Sequence, residues 1–478
     1  MKKIFAIILS LAILVPLTVS AEQFIPNDLY FQDQWSLLNT GQIVGSDGDM
    51  ALKAWTEGVD INVVGAWDIL YNEESPVYNI NANRDPIVVA VIDTGVDYTH
   101  EELQGRILED AEGNIIGYDF VDNDNDPMDE DGHGTIIATI IAANSNNEIG
   151  IAGISWDAKI MPVRILGDSA YGDFDLIDRA IRFAVDNGAD VINFSIVSAI
   201  LQSDLTETAQ YAYDNGVVIV AAAGNSNINL TSTPWTLINN ENDVNTIIGV
   251  GALNSANEKF ALSNFGTGVD VSAPGTNLVA VDYDLSNSEV GYYFVSGTSM
   301  ATALVSGEVA LLKSFHHNWT SQQIIEAVIS TATPFAAGGL QGMGTGRINV
   351  EAALGVNLYP DKTPIITAED RTVYITVGDN CVVPISSPDV FLGLGYEWGD
   401  IVEAKDYELD LYARKLPLSS SWMPENGSVI RGSAEALYLV ENNSIRLFNS
   451  WDEFVLSGHS MDDVERVSDV VIRAYKTN

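Results

Sequence analysis

Residues 87–92 read IVVAVI, a continuous apolar run rich in β-branched side chains that stops at Asp93-Thr94-Gly95. A run of this length without polar alternation is a strand buried on both faces, and such strands belong to parallel sheets covered by helices. The pattern recurs: residues 159–165, 191–196, 217–222, 246–252 and 269–273 read as strands, and helical patterns at 136–143, 176–187 and 205–215 fall between them. That alternation commits the chain to an α/β fold, a three-layer domain with a mostly parallel sheet and helices on both faces. Sheets of this type place their sites beyond the carboxyl ends of strands. Asp93 is therefore a candidate site residue, with an Asx-turn as its structural alternative.

A second stretch points the same way. Residues 292–295 form a short apolar run that ends in the small-residue turn Ser296-Gly297-Thr298-Ser299. A helix follows, with Leu304, Val305, Val309, Leu311 and Leu312 at buried spacing. Ser299 thus sits at a helix N-terminus, where free N–H groups and positive potential favour an anion. A serine hydroxyl is a weak nucleophile and needs an adjacent base. Taken alone, a cap on a core helix explains the segment as well. Gly132-His133-Gly134-Thr135 opens the helix at 136–143, and its glycines let other backbone approach closely. Ala223-Gly224-Asn225 closes the strand at 217–222.

Charge and termini narrow the partners. The 478 residues carry 66 Asp+Glu against 22 Lys+Arg, a net charge of −44. This argues against nucleic acid and anionic membranes. It suits cation binding or a salt-rich medium that screens self-repulsion, with a solvated acidic surface as the alternative. Lys2 and Lys3, the apolar stretch 4–17 and Val19-Ser20-Ala21 read as a signal peptide over residues 1–21, with an uncleaved anchor as the alternative. No later stretch is long and apolar enough to span a bilayer, so the expectation is a secreted or cell-surface protein. Cys381 is the only cysteine, and no intrachain disulfide can form. A secreted chain of this kind needs a large core or a bound metal.

Asp93 in DTGVD, His133 in DGHGT, Asn225 in AAAGN and Ser299 in SGTSMA stand in that order, each at a strand end or a helix start. Together they resemble the subtilisin-like serine proteases, the subtilases, and in particular their thermitase-like branch, over residues 27–355. The resemblance implies a subtilisin-like fold and a calcium-stabilised serine endopeptidase that hydrolyses polypeptide substrates through an acyl-enzyme. It makes Ser299 the nucleophile, His133 the base and Asp93 the group that orients the imidazole. Asn225 becomes the side-chain donor to the oxyanion. It also implies that the backbone of Ser195, Ile196 and Val197 and of Ala222, Ala223 and Gly224 walls the primary substrate pocket. The family usually has Gly where Val197 stands, so a Val side chain there either narrows the expected opening or shifts the β-pairing of substrate. HGTHVAG of the family reads here HGTIIAT, and GTSMATPHVAG reads GTSMATALVSG. The replaced positions, Ile136, Thr139, Ala303 and Leu304, have no triad or oxyanion role.

Asp119, Asp122, Asp124, Asp126 and Asp129 crowd the loop before His133. Acids this close repel unless a cation neutralises them, and hard oxygen ligands at alternating positions suit Ca²⁺; a solvated acidic loop is the alternative. The loop is similar to the calcium loop of thermitase-like subtilases, which implies Asp119, Asp122, Asp124, Asp126 and the Met128 carbonyl as ligands. NSNNEIGIAG at 144–153 resembles a second family calcium loop. It implies Asn147 and the carbonyls of Ile149 and Ile151, with carboxylates from Asp28 and from Glu102, where the family has Asp. Residues 22–86 include NDLYFQDQW at 27–35, similar to a mature thermitase-like N-terminus, and leave little room for a separate prodomain.

The expected division is a peptidase domain at 22–358, a linker at 359–371, and two C-terminal repeats at 372–420 and 421–478. Val373-Tyr374-Ile375 matches Leu437-Tyr438-Leu439, Phe391 and Gly395 match Phe454 and Gly458, residues 398–401 match 461–464, and Tyr412 matches Tyr475. Each copy reads as a hairpin, a small helix with its Phe inward and a further helical turn, a small α+β module. Such repeats resemble those appended to bacterial surface and secreted hydrolases. Binding of cell-wall or extracellular matrix material and a plain spacer are both open readings. The competing function for the whole chain is a non-catalytic, calcium-dependent binding or adhesion protein on a subtilase scaffold. A processing or peptide-bond-forming enzyme on that scaffold is a further one.

Overall fold

The computed structural model describes residues 24–42, 56–71, 85–167, 174–196, 205–233, 237–239, 246–282, 291–317, 319–336, 339–355, 362–367, 371–377, 381–403, 413–414, 427–431, 436–441, 444–448, 450–457, 459–460, 464–467, 471–472 and 475. The signal segment, Val197, Tyr412, Gly458 and residues 461–463 lie outside them.

The apolar runs form one seven-stranded parallel sheet. Its strands are β1 (Val88–Asp93), β2 (Tyr118–Asp119), β3 (Lys159–Arg164), β4 (Val191–Phe194), β5 (Val218–Ala222), β6 (Ile247–Leu253) and β7 (Val271–Pro274), in the order β2-β3-β1-β4-β5-β6-β7. The chain leaves β1 towards β2 and β3, then returns past it to β4. β1 therefore sits where the strand order reverses, the place at which such sheets open a crevice. Side chains alternate between two cores. Val89 and Val91 face one and Val88, Ala90 and Ile92 the other, which is why the run shows no polar position.

Helices cover both faces. α1 (Val63–Tyr71), α2 (His133–Ala142), α5 (Thr298–Phe315), α6 (Ser321–Thr331) and α7 (Val350–Leu354) contribute to the first core. α3 (Phe174–Asp186) and α4 (Thr206–Asp214) contribute to the second. All 18 residues of α5 are buried, so this helix is enclosed on every side. Gly307 makes that possible: a Cβ there would lie 2.4 Å from Ile154. β8 (Leu278–Asp282) and β9 (Gly291–Val295) form a separate antiparallel pair, and β9 runs directly into the turn before α5.

The two C-terminal copies share a topology. In the first, β10 (Pro364–Ile366), β11 (Tyr374–Thr376), β12 (Cys381–Pro384), helix α8 (Pro388–Gly393) and β13 (Val402–Glu403) give the order β13-β10-β11-β12, extended by β14 (Ala413–Arg414). In the second, β15 (Val429–Arg431), β16 (Tyr438–Glu441), β17 (Ser444–Leu447), helix α9 (Trp451–Leu456) and β18 (Val464–Arg466) give β18-β15-β16-β17. Each helix is capped by a serine, Ser387 or Ser450, that accepts from the third amide on. β10 lies inside the stretch that the sequence assigns to the linker; its Ile365 is fully buried and pairs with Tyr374. Ile375, Val383 and Phe391 share one apolar cluster with Ile430, Val440 and Tyr475. A module this small gains little by burying its own surface alone, and the pair buries it jointly.

Candidate active site

Asp93 ends β1, fully buried, and its Oδ1 lies 2.7 Å from His133 Nδ1. Thr94 N–H donates to the same oxygen at 2.8 Å. His133 is the first residue of α2. Gly132, with φ of 104°, turns the chain into the helix. A Cβ on Gly134 would lie 2.0 Å from the Gly95 carbonyl oxygen, so the contact between helix start and strand end requires glycine. Burial opposes a charged imidazole here. The Asp93 charge and hydrogen bond, with Asp131 and Asp129 further off, outweigh it and push His133 up to about 9. The ring binds its proton tightly at Nδ1 and presents Nε2 as the exchanging nitrogen.

Asp129 belongs to this scaffold rather than to an ion site. Its Oδ1 accepts from Thr94 Oγ1, Asp131 N–H and Gly132 N–H, and its Oδ2 from Thr135 N–H and Thr135 Oγ1. A carboxylate so bonded caps α2 and fixes the position of His133.

Ser299 is the second residue of α5, so its N–H is one of the amides a helix leaves unpaired. Its hydroxyl donates to the Ser195 carbonyl at 3.2 Å, and Ser195 Oγ donates to the Ser299 carbonyl at 3.3 Å. A buried chain continues from there: Asn193 Nδ2 donates to Ser195 Oγ, and Ser306 Oγ donates to Asn193 Oδ1, each at 2.9 Å. It ties α5 to the end of β4. Of the expected pocket wall, Ser195 and Ile196 follow that strand, Ser195 bonded to Ser299, and Ala222, Ala223 and Gly224 are buried at the end of β5.

Asn225 is exposed beyond β5. Its Oδ1 accepts from Thr298 N–H at 2.9 Å and Thr298 Oγ1 at 3.1 Å. Those donors settle which end of the amide is which: the oxygen faces α5, and Nδ2 is left to donate outward. Gly297, in the turn before α5, lies beside Nδ2: a Cβ there would be 3.4 Å from it, an ordinary contact distance. Asn193 and Thr298 were missed in the sequence because each reads as an ordinary strand or turn residue.

The two candidate calcium regions differ. In the acidic loop, Arg164 at the end of β3 reaches Asp119 Oδ2 at 2.6 Å and Asp122 Oδ2 at 2.9 Å, and pairs with Glu130. The other Asp119 oxygen accepts from Val121 and Asp122 amides. Asp124 accepts from Asp126 N–H, and Asp126 from Tyr98. Of the loop's two buried acids, Asp119 already has a cation and Asp129 has its amide and hydroxyl donors. The signal was present, since Arg164 is the one charged residue late in an otherwise apolar strand.

The second region lacks one. Glu102 is fully buried; its Oε1 accepts from Ile151 N–H at 2.9 Å and Tyr292 OH at 2.8 Å, and its Oε2 has no partner. Asp28 is also buried; its Oδ2 accepts from Asn146 N–H, and its Oδ1 has no partner. Burial first, and then the Asp28 charge, push the Glu102 carboxyl up to about 7. Asp28 is likewise raised by burial. The loop that carries Asn147, Ile149 and Ile151 packs on both: Tyr30 N–H donates to the Gly150 carbonyl, and a Cβ on Gly150 would lie 1.5 Å from Glu102 Oε1. Asn147 Oδ1 accepts from Ile149 N–H. Among the described residues, no three His, Cys, Asp or Glu side chains converge on one point. A cation here would rely on Asp28, Glu102 and loop oxygens.

The Subtilase family profile matches residues 84–346. A thermophilic serine proteinase from Bacillus sp. (strain AK1) is 41% identical over 265 residues, 55% of this chain and 60% of that protein. Thermitase from Thermoactinomyces vulgaris is 35% identical over 266 residues, 56% of this chain and 88% of thermitase. A solved protease from Pseudoalteromonas arctica PAMC 21717 superposes with a TM-score of 0.56 at 28% identity, covering 69% of this chain and 98% of that one. The match thus spans less than two thirds of the Bacillus proteinase and most of thermitase. With the paired Asp93 and His133, the helix-borne Ser299 and the oriented Asn225 amide, it shows that the chain belongs to the subtilase family.

Proposed function

We propose that the chain is a secreted, calcium-stabilised serine endopeptidase that hydrolyses peptide bonds in polypeptides. The observations that carry this are the 2.7 Å Asp93–His133 pair and the place of Ser299 in the first turn of α5. Ser299 turns its hydroxyl from the Ser195 carbonyl to His133 Nε2 and attacks the scissile carbonyl. His133 takes the proton, and Asp93 holds the imidazolium in place. The oxyanion is bound by Asn225 Nδ2 and Ser299 N–H. His133 then protonates the leaving amine, and water repeats the sequence on the acyl-enzyme.

The orphaned oxygens of Asp28 and Glu102 fit a hard cation, with Asn147 and the Ile149 and Ile151 carbonyls at hand. Calcium bound there supplies the positive charge that those two carboxylates lack. Residues 1–21 are read as the export signal, and the repeat pair, which shares one core, as a single appended module for wall or matrix material.

The test is hydrolysis of unfolded casein by the full chain, with Ser299→Ala as control and labelling by a serine-directed phosphonate. Activity and labelling that both need Ser299 are expected. A folded chain that neither cleaves nor takes the label sinks the reading and leaves the binding-protein alternative.

A further inference from the structure

Asn225 works only if its amide stands where the oxyanion forms, yet it lies on an exposed loop. Its side chain is held on one side by Thr298. What holds the backbone is Asn264, a fully buried polar residue in the segment after β6. Asn264 N–H donates to the Gly224 carbonyl at 2.7 Å. Its Nδ2 donates to the Ala223 carbonyl at 2.8 Å. Its Oδ1 accepts from Ser226 N–H at 3.1 Å and from Ile228 N–H at 2.8 Å. Every partner is a neighbour of Asn225 in sequence, and none is Asn225 itself. One side chain therefore uses both donor and acceptor ends of its amide to clamp the loop on each side of the oxyanion donor.

The surroundings fix Asn264 in turn. Ser263 Oγ accepts from Ala252 N–H on β6 and donates to the Asn264 carbonyl. Asn227 N–H donates to the Leu262 carbonyl, and Phe265 N–H to that of Ile228. The segment is thus fastened to the sheet on one side and to the loop on the other. A buried Asn is costly unless its donors and acceptors are all matched. Here the matching groups lie in the catalytic loop.

We propose that Asn264 is a positioning residue for oxyanion stabilisation: it holds residues 223–228 so that Asn225 Nδ2 meets the developing charge. The inference rests on the peptidase reading above. A donor displaced by about an ångström can cost as much as ~100-fold in rate, and an oxyanion interaction made only in the transition state acts on kcat and leaves KM unchanged.

The experiment compares the parent chain with Asn264→Ser, Asn264→Asp, Asn225→Ala and the double variant Asn264→Ser/Asn225→Ala. Hydrolysis of a peptide amide is measured, and rates are expressed per serine titrated to completion with the phosphonate. Misfolded protein is thereby not counted. Asn264→Asp keeps both acceptor bonds and, taken up as the neutral acid in this buried site, offers an O–H to Ala223 in place of the amide N–H. The expected result is a kcat lower by about 10–100-fold in Asn264→Ser, a smaller loss in Asn264→Asp, and KM near the parent value in both. In the Asn225→Ala background, Asn264→Ser should add little, because the group it positions is gone. The proposal is overturned if kcat per site is unchanged in Asn264→Ser, or if the two losses multiply in full. A parent chain that takes no label and cleaves nothing would instead overturn the peptidase reading.

Discussion

In the acidic loop two members are buried: Asp119 meets Arg164 at 2.6 Å and Asp129 is bonded by amides and hydroxyls, and every other aspartate there has a protein donor or stands in solvent. Asp28 and Glu102 are only two carboxylates, both buried, and each keeps an oxygen without a partner. The first region is dense in charge and internally balanced. The second is sparse and unbalanced. The density of acids in a sequence measures repulsion, whereas the need for an outside cation is set by what the fold leaves unpaired. Glu308 on α5 marks the other limit. It is fully buried with both oxygens unpaired, and burial alone pushes it up to about 8. A lone buried acid goes neutral. A buried pair with donors already turned to one oxygen is better served by a cation.

The comparison breaks most sharply at Arg164. Arg164→Met leaves Asp119 buried without its counter-ion, and the expected loss is about 3–5 kcal/mol in urea unfolding. A loss below about 1 kcal/mol would mean that the loop's balance does not come from Arg164. The next largest effect concerns the second region. With calcium at a hundred times its Kd, chelation should cost about 2.7 kcal/mol, read as a fall in Tm. Glu102→Gln should erase that dependence and Asp124→Asn should keep it. The opposite result would move the functional ion to the acidic loop.

Much of this was legible in the chain itself. The run at 87–92 announces β1 to within one residue, because a strand buried on both faces has no polar position to blur its ends. Asp93, His133 and Ser299 were legible as a group because all three sit at element ends marked by glycine or small residues. What joins these elements was not. Arg164 lies more than 30 residues from its acidic partners, and only the parallel pairing of β2 with β3 brings Asp119 opposite it. Tyr292 reads as one apolar residue in a strand, and only the fold turns its hydroxyl to Glu102. Asn264, in LSNFG, reads as a turn residue; its burial depends on a loop some 40 positions earlier.

Glu308 sharpens the boundary between neutral acid and cation site. Its folded carboxyl titrates near 8 against an ordinary 4.5. Between those values the native state keeps a proton that the unfolded chain has lost. Stability therefore falls as pH rises through this window and levels off above it. Glu102 and His133 add slopes of the same sign, so Glu308→Met should reduce the slope rather than abolish it. It should raise stability above pH 8 by at least about 1–3 kcal/mol, the penalty of an unpaired buried polar group, which is larger for a charged one. Unfolding midpoints measured from pH 5 to 9 decide it. A slope left unchanged by the substitution would show that Glu308 is not held neutral and belongs with the balanced acids.

The smallest effect asks whether the acidic loop acts on the catalytic centre at all. His133 is pushed up to about 9, and Asp131 is among the charges that raise it. As pH rises through that value, the imidazolium gives up its proton and becomes a base, so kcat/KM should climb from neutral pH to an alkaline plateau. Asp131 has no pairing with Arg164, whereas Asp122 does. Asp131→Asn should therefore move the ascending limb towards lower pH by a fraction of a unit, and Asp122→Asn should leave it in place. Added salt should shrink the Asp131 contribution, which acts through solvent, and spare that of Asp93, which is buried and in contact. Equal shifts from both substitutions would mean that Arg164 does not silence its partners, and that His133 responds to the loop as one undivided field.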